Sequence, residues 1–194
     1  MKIIERLTAL PVIFTLNDLV RLGLTRETAH TTVMRWVDRG VIAQAGPRAG
    51  VYFNLLADRQ APQRHRLAAA KLLYPSAIVI GAAVLHAHGW TTQPPQTIDV
   101  AILEKPTAKQ LTGLHLVMRP RSWYERFVPE LLRADESPFE IESLPPAAAL
   151  ADAQAWRDIW VPDPDDLDIP EDAEAAQILA ETVPTLARQR QGLR

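Results

Sequence analysis

The fold is decided by residues 15–53, which read TLNDLVRLGLTRETAHTTVMRWVDRGVIAQAGPRAGVYF. Thr15 and Asp18 are spaced as an N-cap residue and the third residue of a helix, although Asp replaces the more usual Glu. They predict the start of a short apolar helix. Gly23 breaks this helix, and Thr25 can cap a second one. The segment therefore begins with two helices joined by a tight glycine turn.

A hairpin is predicted directly after the second helix, which extends over 26–39. Two β-rich pieces, 41–44 and 51–54, flank the turn 46–50, whose sequence is Gly-Pro-Arg-Ala-Gly. Two such pieces around a Gly and Pro turn indicate paired strands. Helix, glycine turn, helix and hairpin in this order are typical of a winged helix-turn-helix, a module that places one helix in a DNA groove.

The second predicted helix has an apolar side and a polar side. At about 100° per residue, the apolar stripe consists of Ala29, Val33, Trp36 and Val37. The opposite side carries short hydroxyls and one cation, with Glu27 and Asp38 nearby. Hydroxyls and arginines can bind base edges or phosphates, and further arginines lie in the first turn and in the hairpin turn. The candidate DNA-binding residues are Arg26, Thr28, Thr31, Arg35 and Arg48.

Charge is distributed unevenly along the chain. Residues 1–66 contain ten Lys and Arg against five Asp and Glu, a net +5, whereas the remainder contains eleven against eighteen, a net −7. A basic half favours phosphate binding that weakens with salt. The alternative is a protein-docking module without DNA binding, because helix-turn-helix geometry also serves dimerisation and exposed arginines are commonly just solvated.

Composition excludes several classes of protein. The chain has 194 residues, 47% of them hydrophobic, and no cysteine, so disulfides and thiolate chemistry are absent. No apolar run approaches the length of a membrane span, and the N-terminus predicts an amphipathic helix that ends before Pro11 instead of a signal peptide. We therefore expect a cytoplasmic protein that contacts no membrane, binds no cofactor and has no metal site.

The remaining sequence predicts an α/β (α+β) fold with an acidic tail. Strands are expected at 78–80, 98–103, 114–118 and 141–144, and helices at 81–88, 123–133, 146–156 and 171–190. Residues 152–174 contain nine acidic residues and one Arg, so they are expected to form an extended or mobile arm, anchored at 159–161. The expected domains are a winged helix-turn-helix at 1–60, a linker and helix at 61–73, an α/β domain at 74–160, and the acidic arm with a C-terminal helix at 161–194.

A longer stretch resembles a known family. The N-terminal module, the wing ending at 50–52, and the run GAAVLHAHGWTTQP at 81–94 are together similar to the AbiEi-type antitoxins of type IV toxin–antitoxin systems. The resemblance covers about residues 3–120. It implies a transcriptional autoregulator that binds operator repeats in double-stranded DNA, with a homodimer on DNA as one arrangement. It also implies that the second domain counteracts a cognate nucleotidyltransferase toxin.

The sequence offers weak support for catalysis. The run at 81–83 followed by a strand with Asp99 is similar to a nucleotidyltransferase core, in which two carboxylates on one strand hold the metal ions. The second position is Ala101, so a degenerate nucleotidyltransferase-like domain stays an alternative and no catalytic residue is assigned. Asp99 is expected to face solvent. His86 and His88 lack the spacing of a zinc pair, and the other histidines, including His115, are expected to be isolated.

Overall fold

The computed structural model describes residues 3–106, 111–170 and 173–191. The chain is a mixed α/β protein with two three-stranded sheets in the described part, which confirms the expected α/β class. It divides into two compact units. The first unit comprises residues 1–75 and 106–112, and the second comprises residues 76–105 and 113–194.

The first unit contains five helices and three strands among its described residues. In chain order these are α1 (Ile3–Thr8), β1 (Ile13–Thr15), α2 (Leu16–Arg21), α3 (Arg26–Asp38), β2 (Ile42–Gln44), β3 (Val51–Asn54), α4 (Ala61–Arg64) and α5 (Arg66–Leu73). The central strand β3 pairs antiparallel with both β1 and β2, so the sheet order is β1-β3-β2. Residues 61–73, expected to form a linker and one helix, form α4 and α5, and both helices contact β3.

Local signals set the ends of α2 and α3 as the sequence predicts. The backbone N–H of Thr15 donates to Asp18 Oδ2 at 2.7 Å, which is half of the expected capping box. Gly23 adopts φ +90°, and its N–H donates to the carbonyl of Val20 at 2.9 Å. Since a side chain is strained at such a φ, glycine suits this position and lets the chain reverse between the two helices.

The core of the first unit joins its helices to its sheet. Buried residues from α1, β1, α2, α3, β2 and β3 and from the connections between them pack together: Leu7, Leu10, Phe14, Leu19, Leu24, Ala29, Val33, Trp36, Ile42 and Tyr52. The core also contains a buried polar side chain, Asn54. Its amide nitrogen donates to the carbonyl of Leu7 at 2.8 Å, and its Oδ1 accepts from the N–H of Leu56 at 3.2 Å. Asn54 thereby holds α1 against the end of β3.

The described residues of the second unit form a mixed sheet and four helices. Its elements are β4 (Ile78–Ile80), α6 (Ala82–Ala87), β5 (Ile98–Ile102), β6 (Leu114–Met118), α7 (Arg121–Phe127), a 3₁₀ turn (Val128–Glu130), α8 (Pro146–Trp156), a second 3₁₀ turn (Pro164–Asp166) and α9 (Ala173–Gln191). The central strand β5 is antiparallel to β4 and parallel to β6. The strand expected at 141–144 does not form. Ser143 instead makes isolated bridges with Val79 and Leu132.

The acidic segment after α8 lies against the body of the second unit for part of its length. Val161 and Leu167 pack with Leu85 and Trp90, and the N–H of Asp168 donates to the carbonyl of Trp90 at 2.9 Å. The expected anchor at 159–161 is therefore confirmed for Val161, whereas the side chain of Trp160 is 49% exposed. Apolar residues spaced between the carboxylates explain why the segment packs despite its charge.

Helix α8 is buried on nearly every side, as expected for a helix of alanine, leucine and tryptophan. Asp152, which the sequence groups with the acidic arm, lies inside this helix and is fully buried. No helix in the described ranges is long and apolar enough to cross a membrane.

Candidate nucleic-acid interface

The orientation of α3 is fixed by its cap and by its buried stripe. Thr25 precedes the helix in an extended conformation, and its Oγ1 accepts from the N–H of Thr28 at 3.2 Å. Ala29, Val33 and Trp36 are buried in the core of the first unit, as the periodicity predicts. Because one side of the helix is held in the core, the opposite side faces solvent.

The predicted DNA-binding residues of α3 are all exposed. Arg26 and Arg35 form no ion pair with any residue that the structure describes, so both guanidinium groups are available to an external anion. The hydroxyl of Thr28 is hydrogen-bonded to that of Thr25 at 2.8 Å, and the hydroxyl of Thr31 donates to the carbonyl of Glu27 at 3.1 Å. The hydroxyl proton of Thr31 is therefore already used in a hydrogen bond within the helix, and its oxygen can still accept one.

Arg48 lies on the turn between β2 and β3, on a different element from the other four predicted residues. The turn is closed by the N–H of Ala45 donating to the carbonyl of Val51 at 3.0 Å and by that of Ala49 donating to the carbonyl of Gly46 at 3.0 Å. Arg48 is exposed and adopts φ +61°, a left-handed conformation that costs a non-glycine residue about 1–2 kcal/mol. The backbone alone would favour glycine at this position.

The exposed side of α3 also carries residues that oppose or complicate phosphate binding. Glu27 and Asp38 are exposed, as the sequence predicts, and each would repel a phosphate that came close. Met34 is 50% exposed on the same helix, and no sequence pattern marks it. An exposed methionine is suited to apolar contact, either with a thymine methyl group or with another protein.

Asp99 differs from the sequence expectation. It is only 5% exposed instead of facing solvent, and its Oδ1 lies 2.8 Å from Nδ1 of His115 in a hydrogen bond. The parallel register of β5 and β6 pairs Asp99 with His115, so this histidine is not isolated. Burial raises the pKa of Asp99, and the hydrogen bond and charge of His115 oppose that rise.

Gly81 allows the chain to approach Asp99 closely. It adopts φ +69°, and a Cβ at this position would lie 3.0 Å from Asp99 Oδ2 and 2.8 Å from Cδ1 of Ile159. The contact places the small-residue start of α6 beside the carboxylate of β5, as in the nucleotidyltransferase alternative. In the described ranges, however, no three His, Cys, Asp or Glu side chains gather into a set that could hold a metal ion.

A buried arginine is the charged centre of the second unit. Arg119 is 1% exposed, and its guanidinium donates to both oxygens of Asp152 and to both oxygens of Asp158, at 2.8–3.0 Å. It also donates to the carbonyl of Met118 at 3.2 Å, and its carbon lies 4.5 Å from the ring centre of Trp156. Burial raises the pKa of Asp152, and Arg119 opposes that rise. The sequence signal for this network is a lone carboxylate within the alanine-rich α8.

The chain was also compared with known proteins. No protein-family model matches it, and no curated protein matches it.

Proposed function

We propose that the first unit is a winged helix-turn-helix that binds double-stranded DNA, with α3 as the recognition helix and the β2–β3 turn as the wing. The element order α1-β1-α2-α3-β2-β3 and the small antiparallel sheet support this assignment. The observation that carries it is the exposure of two arginines on α3: Arg35 lies opposite the buried stripe and Arg26 lies in the first turn, and neither has an ion-pair partner among the described residues.

The chemistry of each predicted residue suggests its role on DNA. Arg26, in the first turn of α3, is placed for a phosphate contact, and Arg35 can donate two hydrogen bonds to one guanine. Thr31 can accept from the amino group of adenine or cytosine because its own proton is already donated to Glu27. Arg48 carries a cation on a turn whose backbone favours glycine, which supports a contact outside the protein.

We further propose that the chain is a transcriptional autoregulator and the antitoxin of a type IV toxin–antitoxin pair. This step rests on the sequence resemblance described above. The second unit would then act against a cognate nucleotidyltransferase toxin, and the first would bind operator repeats as a homodimer. Coexpression of the chain with a nucleotidyltransferase encoded beside it tests the antitoxin role: restored growth supports the role, and undiminished toxicity contradicts it.

Titration of the full-length protein against labelled DNA tests the DNA-binding role. The probe is the region upstream of its own gene, with a shuffled duplex of equal length as the control. Specific binding predicts an affinity for the upstream probe at least about 1,000-fold higher than for the shuffled one, and a steep loss of affinity with salt. Equal affinity for the two probes would contradict sequence-specific binding.

A protein-docking module is the second candidate, and one observation favours it. Met34 is half exposed on α3 between residues of both charges, and exposed methionines suit apolar protein surfaces. If α3 docks onto a protein and not onto DNA, Met34→Ala weakens self-association or partner binding in sedimentation measurements. DNA titrations would then show no affinity at moderate salt for either probe.

A further inference from the structure

A cleft in the second unit lies outside the DNA-binding surface proposed above. It has a volume of about 540 Å³, and its lining includes Gln93, Pro95, Asp99, His115, Asp158 and Trp160. Clefts of roughly 300–1,000 Å³ that combine apolar walls with a few polar groups are the usual sites for small ligands. The size and the mixed lining therefore suit a compact organic molecule.

The charges around the cleft are not balanced. Asp99 and Asp158 line the cleft, and Asp152 accepts a hydrogen bond from Arg119, which also binds Asp158. Three carboxylates thus share one guanidinium and the imidazole of His115. Arg119 already donates to both oxygens of Asp152 and both oxygens of Asp158, so it leaves Asp99 without a guanidinium hydrogen bond. The lining consequently favours a positively charged ligand.

One oxygen of Asp99 is available for such a ligand. His115 is hydrogen-bonded to Oδ1, whereas Oδ2 has no hydrogen-bond partner within the described part of the chain. The Asp99 side chain is more than nine-tenths buried but lines the cleft, so a donor bound there can reach its free carboxylate oxygen. A donor bound in the cleft would satisfy Oδ2.

The aromatic wall identifies the kind of cation. Trp160 is 49% exposed on the cleft, and an indole face attracts organic cations through its π electrons. A metal ion would need a larger set of oxygen or nitrogen ligands than the described residues bring together here. We propose that this cleft binds a small planar organic cation, of the guanidinium or amidinium class, which donates to Asp99 Oδ2 and stacks on Trp160.

Three compounds of nearly equal shape test the charge requirement. Benzamidine is a cation, benzamide is neutral and benzoate is an anion, and each is titrated into the full-length protein by calorimetry. Charge-assisted hydrogen bonds are about twice as strong as neutral ones, so we expect benzamidine to bind at least about tenfold more tightly than benzamide and benzoate not to bind. Equal binding of benzamidine and benzamide, or no binding of benzamidine at millimolar concentrations, would overturn the proposal.

Two variants test the assigned contacts. Trp160→Ala changes an exposed side chain, and we expect it to weaken benzamidine binding at least about threefold. Asp99→Asn keeps the shape of the side chain and removes its charge, and we expect a loss of about tenfold or more. Val128→Ala is the control, since it shortens an exposed apolar side chain of the second unit that does not line the cleft. Unchanged benzamidine affinity in Trp160→Ala would refute the stacked pose even if Asp99→Asn failed to fold.

Discussion

Replacing Arg119 should destabilise the second unit more than replacing any exposed arginine. Arg119→Met keeps most of the side-chain volume but removes the donors that hold Asp152, which is fully buried. The indole N–H of Trp123, 2.7 Å from Asp152 Oδ1, then remains as the side-chain donor to this carboxylate. Removing one partner of a buried ion pair typically lowers the free energy of unfolding by about 3–5 kcal/mol, and we expect Arg119→Met to lower it by this amount.

Further variants separate charge from geometry. Arg119→Lys keeps the positive charge but replaces the planar guanidinium with an ammonium group that cannot make the same set of hydrogen bonds. We therefore expect the free energy of unfolding to fall by about 1–3 kcal/mol. The double variant Arg119→Met/Asp152→Leu also removes the buried carboxylate that the single variant leaves without its guanidinium partner. The side chain of Asp158 is 42% exposed, so water can solvate its carboxylate. We therefore expect the double variant to recover most of the loss of the single variant.

Urea unfolding, followed by circular dichroism and by tryptophan fluorescence, measures these differences. Arg121→Met is the matched control, because Arg121 has a side chain that is 85% exposed and a solvent-exposed ion pair with Glu125 at 3.3 Å. An exposed pair contributes about 0–1 kcal/mol. The reasoning is refuted if Arg119→Met costs no more than this control, or if the double variant is no more stable than the single one.

Three other expectations follow from the structure. Asn54→Ala should lower the unfolding free energy by about 1–3 kcal/mol in urea titrations, while the exposed Asn17→Ala changes it little. Burial raises the pKa of Asp99, so its contribution to stability is full below the usual aspartate pKa of about 3.9 and is lost as pH rises through the raised pKa. Asp99→Asn should therefore gain stability relative to the wild type as pH rises above about 4, and a pH-independent difference would contradict this. A fragment of residues 1–75 should unfold cooperatively at a higher temperature than a fragment of residues 1–60, since α4 and α5 contact β3. Equal midpoint temperatures of the two fragments would show that these helices do not stabilise the first unit.

Local signals predicted much of the first unit from the sequence. The cap at Thr15 and Asp18, the break at Gly23 and the cap at Thr25 all act within a few residues, so they can be recognised without knowledge of the fold. The sequence does not predict the strand β1, because its three residues show no clear alternation of apolar and polar side chains. Its stability depends on pairing with β3, nearly forty residues further along the chain.

Contacts between distant residues explain what the sequence could not predict in the second unit. A single carboxylate on a strand predicts a side chain that faces solvent, but the register of β5 and β6 places Asp99 beside His115. Arg119 and Asp152 are 33 residues apart, and no periodic pattern links them. The cleft likewise combines residues of β5 and β6 with residues from the segment after α8, and only the folded chain brings them together.

The most direct test of the proposed DNA interface compares Arg35→Ala and Arg48→Ala with the wild type in titrations of the upstream DNA. If Arg35 contacts a base, its removal should weaken specific binding by about 1–3 kcal/mol and relax the sequence preference. Arg48→Ala should weaken binding to all sequences about equally and lower the slope of affinity against salt by about one unit. Arg121→Ala, an exposed arginine of the second unit, is the charge-matched control. Affinities and salt slopes equal to those of the wild type in both Arg35→Ala and Arg48→Ala would contradict the account.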